Sequence, residues 1–374
     1  MIDEPKRTEK FYGLDHLRAL AIFLVFFFHY QNPIFDHPEW LPDYVKFGWT
    51  GVDLFFVLSG FLISSQLFEN IKKGKKISYK QFFLKRFFRI IPAYVAVVAL
   101  YFLIPLFREK ESLPPIWKFL TFTQNFGLNL KDSGTFSHAW SLCVEEHFYF
   151  FLPMILILLQ TFNLLKKSYW LLIGLFLVGF ALRIYSWDYL FLPKTNSENP
   201  WLYWYQFVYY PTYNRLDGLL TGVSIAAVYQ FLPDFWNRIS KFGNVSVVSS
   251  IAVLALAYRV CDDGQSFYAS VFGFPLVSIG YGLLIVGAIS PTSFLYKWKS
   301  KTTGVVAALS FAIYLTHKGV IHVTQKLLGF ANVKIDSNLM MIICILTCVI
   351  SAYAMHLSIE KPFMKMRNRF IRHQ

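Results

Sequence analysis

The sequence has few charged residues for its length. Of its 374 residues only 16% are Asp, Glu, Lys or Arg, while 55% are hydrophobic. The mean hydropathy is +0.43. This composition is too apolar for a soluble core and predicts a polytopic membrane protein.

Cysteines, internal repeats and flexible linkers are also scarce. The four cysteines have no zinc or redox spacing, so we expect no disulfide framework and no metal. A permanently bound cofactor is not expected either. No Pro/Gly/Ser-rich linker divides the chain, which favours one membrane domain over residues 1–374. The first apolar segment lacks a small-residue cleavage site, so we interpret it as a retained span and expect no signal peptide.

Hydropathy predicts an all-α fold of about ten transmembrane helices around a polar cavity. The predicted spans are 12–32, 48–67, 90–107, 140–163, 169–186, 214–231, 244–260, 267–289, 304–322 and 338–358.

The distribution of Lys and Arg predicts the orientation. The segments on the side of the N-terminus carry 23 of these residues, against 8 in the opposite loops. By the positive-inside rule both termini are cytoplasmic. The formal charge of +14 is thereby explained as a topology signal, and nucleic acid is not expected as a partner.

The first span carries two ionisable side chains, Arg18 and His29. Eleven steps of about 100° return nearly to the same helix face, roughly 16 Å further along the axis. Ionisable residues inside a span are functional by default. The alternative is a snorkelling arginine and a histidine that is satisfied by a neighbouring helix.

Further ionisable residues are predicted in the outer half of the membrane, at similar depths in separate spans. They are Asp53, Glu145, Glu146, Arg215, Asp217 and His317. Such a set is costly in lipid unless it surrounds a cavity. For Glu145 and Glu146 the alternative is an interhelical salt bridge.

The spacing in the fourth span separates the two glutamates. Ser141, Glu145 and Tyr149 are four residues apart and predict one polar stripe. Glu146 is turned by about 100°, so Glu145 is favoured as the inward-facing carboxylate. Glu146 is expected to act as a structural partner, to Arg215 or to a neighbouring helix end.

Two arginines precede the third span. Arg86 and Arg89 are one turn apart and can bind an anionic group such as a phosphate; the alternative is positive-inside anchoring.

On the opposite side of the membrane, the loop Trp187–Tyr213 is rich in Trp and Tyr. It predicts either an aromatic belt or a surface that stacks on sugar rings.

Six motifs together resemble the bacterial acyltransferase-3 membrane family. In chain order they are Arg18-x10-His29, the run Gly51–Ile63, Arg86-x-x-Arg89-Ile-x-Pro92-x-Tyr94, Trp140-Ser-Leu-x-Val-Glu145-Glu146-x-Phe148-Tyr149, Ser310-Phe-x-Ile-Tyr314-Leu-x-His317 and Ile359-Glu-Lys-Pro-Phe363. One departure is His147, where the family usually has Gln. The chain stops at Gln374 with a basic tail and resembles the stand-alone type, without an appended hydrolase-like domain.

The resemblance implies an O-acyltransferase in the bacterial cytoplasmic (inner) membrane. Such an enzyme moves an acyl group, acetyl by default, from cytoplasmic acyl-CoA to a hydroxyl of an extracytoplasmic carbohydrate or glycolipid such as lipopolysaccharide O-antigen or exopolysaccharide. Arg18, Arg86 and Arg89 are then expected to bind the CoA phosphates.

His29 is the expected general base in this interpretation, with Glu145 or Asp53 orienting its imidazole or holding the sugar; a covalent acyl-His intermediate is the alternative. Glu146 is kept with these catalytic candidates. The residues expected to contact the substrate are Tyr149, Arg215, Asp217 and His317.

Two other classes of function are consistent with the buried polar groups. A proton-coupled transporter or flippase of a glycan precursor would use them as a proton relay, although no inverted repeat is visible. A polysaccharide-synthesis scaffold would tolerate substitution of His29. The oligomeric state is not predicted by the sequence.

Overall fold

The structure is a computed structural model, which describes residues 11–372. The expectations for the N-terminal residues 1–10 and for the position of Gln374 lie outside this range. Within it the chain is helical and forms no strand. The prediction of an all-α polytopic membrane protein is confirmed.

Fifteen α-helices follow one another along the described part of the chain, with short 3-10 and π segments between them. They are α1 Tyr12–Tyr30, α2 Gly51–Lys72, α3 Tyr79–Leu103, α4 Ile116–Leu120, α5 Trp140–Thr161, α6 Ser168–Tyr185, α7 Pro200–Trp204, α8 Asp217–Phe231, α9 Pro233–Ile239, α10 Gly243–Val260, α11 Phe274–Ile289, α12 Phe294–Lys297, α13 Lys301–Phe330, α14 Asn338–Met355 and α15 Lys361–Arg372, with 3-10 turns at Asp43–Thr50 and Ser137–Ala139.

Nine helical stretches of the described chain are long and apolar enough to cross a membrane. The sequence predicts one more span, 214–231, which corresponds to α8. This helix has only 15 residues. It nevertheless runs parallel to α2, since Arg215, just before α8, pairs with Asp53 near one end of α2 and Gln230 bonds Ser65 near the other.

Glycines allow α2 and α8 to pack with their backbones in contact. A Cβ on Gly60 would lie 2.2 Å from the carbonyl oxygen of Leu219, and one on Gly222 would lie 2.3 Å from that of Val57. Small residues at such positions are typical of close helix pairs in membranes, where packing replaces the hydrophobic driving force.

The helices fall into a central and a peripheral group. Most of α2, α11 and α13 is buried within the protein, whereas α6, α10 and α14 present most of their apolar side chains outward. Local signals in the sequence set several helix starts: Ser78, Ser300 and Ser337 each accept a hydrogen bond from the backbone amide three residues on, as N-caps do.

The bundle has two ends, the basic end and the far end. The basic end carries the connection between α2 and α3, residues 73–78, and the far end carries the connection between α1 and α2, residues 31–50. Helix α3 begins at Tyr79, earlier than the predicted residue 90. Arg86 and Arg89 therefore lie two to three turns inside the helix.

Candidate active site

A cavity of about 300 Å³ opens at the basic end, and we call it the basic cavity. Five basic side chains from three helices line it: Arg18 of α1, Lys85, Arg86 and Arg89 of α3, and Arg367 of the C-terminal helix α15. The structure thus brings together the three arginines expected to bind an anion. Arg367 is not predicted from the sequence, in which it is one of many positive charges in a basic tail.

The inner part of the basic cavity is a chain of polar contacts. The guanidinium of Arg86 lies 4.9 Å from the ring centroid of Tyr149, and the Tyr149 hydroxyl donates to Glu145 Oε2 at 3.0 Å. That hydroxyl also bonds the Ser59 hydroxyl. Arg86 is held on an aromatic face as a result, with a carboxylate directly behind it.

The polar stripe predicted on α5 is confirmed. Ser141, Glu145 and Tyr149 all line the basic cavity, and Glu146 does not. The expected pairing of Glu146 with Arg215 is wrong, because Arg215 pairs with Asp53 instead.

Three histidines meet above the inner end of the basic cavity, in the half of the bundle nearer the far end. The ring centroid of His317 lies 4.9 Å from that of His29 and 4.9 Å from that of His138. His29 Nδ1 and His317 Nε2 are 3.0 Å apart. The orienting partner of His29 is therefore His317, and the expectation that Glu145 or Asp53 orients it is wrong.

The hydrogen bonds define which nitrogen of His29 is basic. His317 Nδ1 lies 2.9 Å from the Tyr314 carbonyl and 3.1 Å from the Ile313 carbonyl. Carbonyl oxygens only accept, so His317 Nδ1 carries the hydrogen and, in the neutral ring, Nε2 accepts. His29 Nδ1 must then be the donor, which leaves the lone pair on His29 Nε2.

A buried ion pair lies beside this cluster. Lys318 Nζ is 2.7 Å from Glu109 Oε1, with 5% and 0% of the two side chains exposed. Glu109 Oε1 also accepts from the Phe136 amide at 3.1 Å, so the pair ties the segment before α5 to α13. Lys318 follows His317 directly within an apolar span, and this position is the signal that could have revealed it.

Tyr314 connects the histidines to the basic cavity. Tyr314 and Ser141 are both among the residues that line this cavity. The Tyr314 hydroxyl bonds Ser141 Oγ at 2.5 Å and donates to the His138 carbonyl at 2.5 Å. The Tyr314 ring centroid is 5.6 Å from that of His138. One residue therefore separates the inner end of the cavity from the histidine cluster.

Asp53, Arg215 and Asp217 form ion pairs away from the basic cavity. Arg215 Nη2 donates to both carboxylate oxygens of Asp53, at 2.8 and 3.0 Å. Arg183 Nη1 donates to Asp217 Oδ2 at 2.7 Å. No more than 4% of any of the four side chains is exposed. Arg215 and Asp217 were expected to contact the substrate, but in the structure protein surrounds their side chains.

No group of three or more His, Cys, Asp or Glu side chains in the described part of the chain has the geometry of a metal site. The four cysteines are free and buried.

These observations define a polytopic membrane protein with a basic cavity at one end and an oriented histidine beyond it. A family model described as "Acyltransferase domain", that of acyltransferase family 3, matches residues 11–357. The chain belongs to this family.

The chain is also similar to curated proteins of Staphylococcus aureus. It is 27% identical over 327 residues to a putative O-acetyltransferase of strain COL, covering 83% of this chain and 50% of that protein. It is 27% identical over 344 residues to the O-acetyltransferase OatA of strain NCTC 8325, covering 84% and 52%. The chain thus spans about half the length of these relatives. No solved structure matches it.

The ion pair between Asp53 and Arg215 yields the first prediction. Asp53→Ala should lower stability by about 3–5 kcal/mol, because it leaves a buried guanidinium without its partner. The thermal unfolding midpoint of the protein in detergent can be measured by fluorescence-detected size-exclusion chromatography. Asp53→Leu combined with Arg215→Met should recover much of the loss, because both charges are removed together.

The matched control is Asp43→Ala, which breaks an exposed ion pair with Lys46 and should leave the midpoint unchanged. An Asp53→Ala protein as stable as the parent would contradict the structural role and return Asp53 to the candidates for catalysis.

Proposed function

We propose that the protein is a membrane O-acyltransferase that moves an acyl group, acetyl by default, from acyl-CoA to a hydroxyl of a carbohydrate of the cell envelope. The observation that carries the proposal is the orientation of His29, whose Nε2 is left as a free base by the hydrogen bond to His317. Membership of the family and the names of the relatives, O-acetyltransferases, support the reaction type.

The basic cavity suits an acyl-CoA donor. CoA carries several phosphate groups, and guanidinium groups bind phosphate through paired, charge-assisted hydrogen bonds. Arg18, Arg89 and Arg367 would hold these phosphates at the mouth. The pantetheine arm would then pass Arg86 and Tyr149 toward Tyr314, so that the thioester approaches the histidine cluster.

The transfer itself requires one base and no redox step. His29 Nε2 removes the proton of the acceptor hydroxyl as its oxygen attacks the thioester carbonyl. The C–O bond forms and the C–S bond breaks, and the proton passes from the imidazolium to the CoA thiolate. The bond from His29 Nδ1 to His317 keeps the imidazole in the required tautomer throughout.

The positive-inside rule supports an orientation for this reaction. The basic end faces the cytoplasm, where acyl-CoA is made, and the far end faces outward, where the acceptor glycan lies. In this arrangement the protein lies in the bacterial cytoplasmic membrane with both termini inside. No step requires a metal or a resident cofactor, and acyl-CoA is a co-substrate.

Donor binding provides a direct test. Replacing Arg86 and Arg89 together with Ala should weaken acetyl-CoA binding, because each removes a charge-assisted contact worth about 1.5–3 kcal/mol. Arg367→Ala alone should weaken it by a smaller factor. Binding can be measured by isothermal titration calorimetry on protein in nanodiscs.

The control for donor binding is Lys75→Ala with Lys76→Ala. These changes remove two exposed charges at the same end without touching the cavity wall. Equal losses in both double variants would mean that only the overall positive field matters, and the cavity would not be the donor site.

The histidine pair provides a test of the chemistry. His29→Gln should lower the rate of acetyl transfer by a factor of about 10²–10⁴, because Gln cannot accept the proton. Its affinity for acetyl-CoA should stay unchanged, since the phosphate contacts lie at the basic end. His317→Gln should lower kcat and shift its pH profile with little effect on the KM for the donor. The readouts are transfer of a radiolabelled acetyl group and release of free CoA.

Glu146→Gln serves as a comparison for Glu145→Gln. Only Glu145 lines the cavity, so Glu145→Gln should impair turnover more than Glu146→Gln. Substantial transfer by folded His29→Gln protein would remove this histidine from the mechanism. A parent protein that releases no CoA but moves a glycan precursor across vesicles would instead be a transporter.

A further inference from the structure

A second cavity, of about 310 Å³, lies at the far end; we call it the aromatic pocket. It shares no lining residue with the basic cavity. Six aromatic side chains form much of its wall: Phe28, Trp49, Trp204, Tyr205, Tyr209 and Phe274.

One residue, Phe28, links the aromatic pocket to the histidine cluster. Phe28 lines the pocket, precedes His29 in α1, and its ring centroid lies 5.2 Å from that of His29. A molecule packed against Phe28 would therefore be one side chain away from His29, outside the basic cavity. The location fits the acceptor of the proposed transfer, on which this inference rests.

The walls of the pocket are held in place from behind. The Arg215 guanidinium lies 4.5 Å from the ring centroid of Tyr209 and 4.1 Å from that of Phe274. Trp204 donates from its indole nitrogen to Ser270 Oγ at 2.9 Å. The buried ion pair with Asp53 thus fixes Arg215 and with it two of the aromatic faces. Rigid aromatic faces beside a few polar groups suit the apolar faces and hydroxyl edges of a pyranose ring.

Charge at the pocket has one sign only. The turn between α10 and α11 contributes Asp262 and Asp263, both exposed, together with Gln265. Asp263 Oδ1 accepts from the Gln265 amide at 3.1 Å, which holds the turn. None of the side chains that line the pocket is Lys, Arg or His. Carboxylates accept hydrogen bonds from sugar hydroxyls or amines and repel a carboxylate or phosphate on the ligand.

We infer that the aromatic pocket binds the acceptor and that Asp262 and Asp263 make it select an uncharged or amino sugar over an acidic one. The aromatic faces supply binding to any pyranose, and the two carboxylates supply the discrimination.

The test compares three probes on the full chain in nanodiscs: an oligomer of N-acetylglucosamine, one of glucosamine and one of galacturonic acid. Binding is followed by saturation-transfer NMR, and acetyl transfer with acetyl-CoA is measured in parallel. The parent should bind the first two at least about tenfold more tightly than the galacturonic acid oligomer. Asp262→Lys with Asp263→Lys should abolish or reverse this preference, since two like-charge contacts become attractive.

Two matched variants separate charge from stacking. Asp188→Lys changes another exposed acidic residue, one that does not line the pocket, and should leave the preference as in the parent. Tyr205→Leu removes a half-buried ring face and should weaken the binding of all three probes by a similar factor.

Two outcomes would overturn the inference: a parent that binds none of the probes, and an unchanged preference in the double lysine variant. Release of CoA from acetyl-CoA, dependent on His29, reports separately on the proposed function. If the sugar preference is absent but CoA is released, the inference about the pocket fails and the proposed function stands. If CoA is not released but the sugar preference is present, the proposed function fails and sugar binding by the pocket stands.

Discussion

The hydrogen bond between His29 Nδ1 and His317 Nε2, at 3.0 Å, is the contact on which the proposed chemistry depends. Its direction follows from the carbonyls that fix the hydrogen on His317 Nδ1. A base with a defined tautomer needs no reorganisation when the reaction begins. The ion pair of Lys318 and Glu109 and the packing of α1 on α13 hold the two rings at this distance.

Each of the two cavities has a wall residue next to the histidines: Tyr314 in the basic cavity and Phe28 in the aromatic pocket. The basic cavity has five cations and one carboxylate, Glu145, among its lining residues, whereas the aromatic pocket has two carboxylates and no cation. In the proposed reaction the highly charged donor never has to cross the bilayer, because only its thioester reaches the histidines. The cost of burying charge in lipid is thus avoided by the position of the base.

Much of this arrangement could be predicted from the sequence, because periodicity and hydropathy are local signals. Nine of the ten predicted spans match helices long enough to cross a membrane, and they follow from hydropathy. The stripe of Ser141, Glu145 and Tyr149 and the grouping of Arg86 with Arg89 follow from spacing along one helix. The pairing of side chains between different helices does not follow from spacing along one helix. Asp53 and Glu145 were candidates for orienting His29, yet Asp53 contacts Arg215 and Glu145 contacts Tyr149, since depth in the membrane says nothing about which helices are neighbours.

Sidedness is the most direct test of the central claim, that donor and acceptor reach one base from opposite ends. All four native cysteines are buried, so Lys76→Cys provides an exposed label that reports which way the protein faces in proteoliposomes. Labelled acetyl-CoA is supplied on one side and the glycan on the other. Transfer is predicted only when acetyl-CoA is on the side where Cys at position 76 reacts with an impermeant maleimide. Transfer that requires both substrates on the same side would contradict the account.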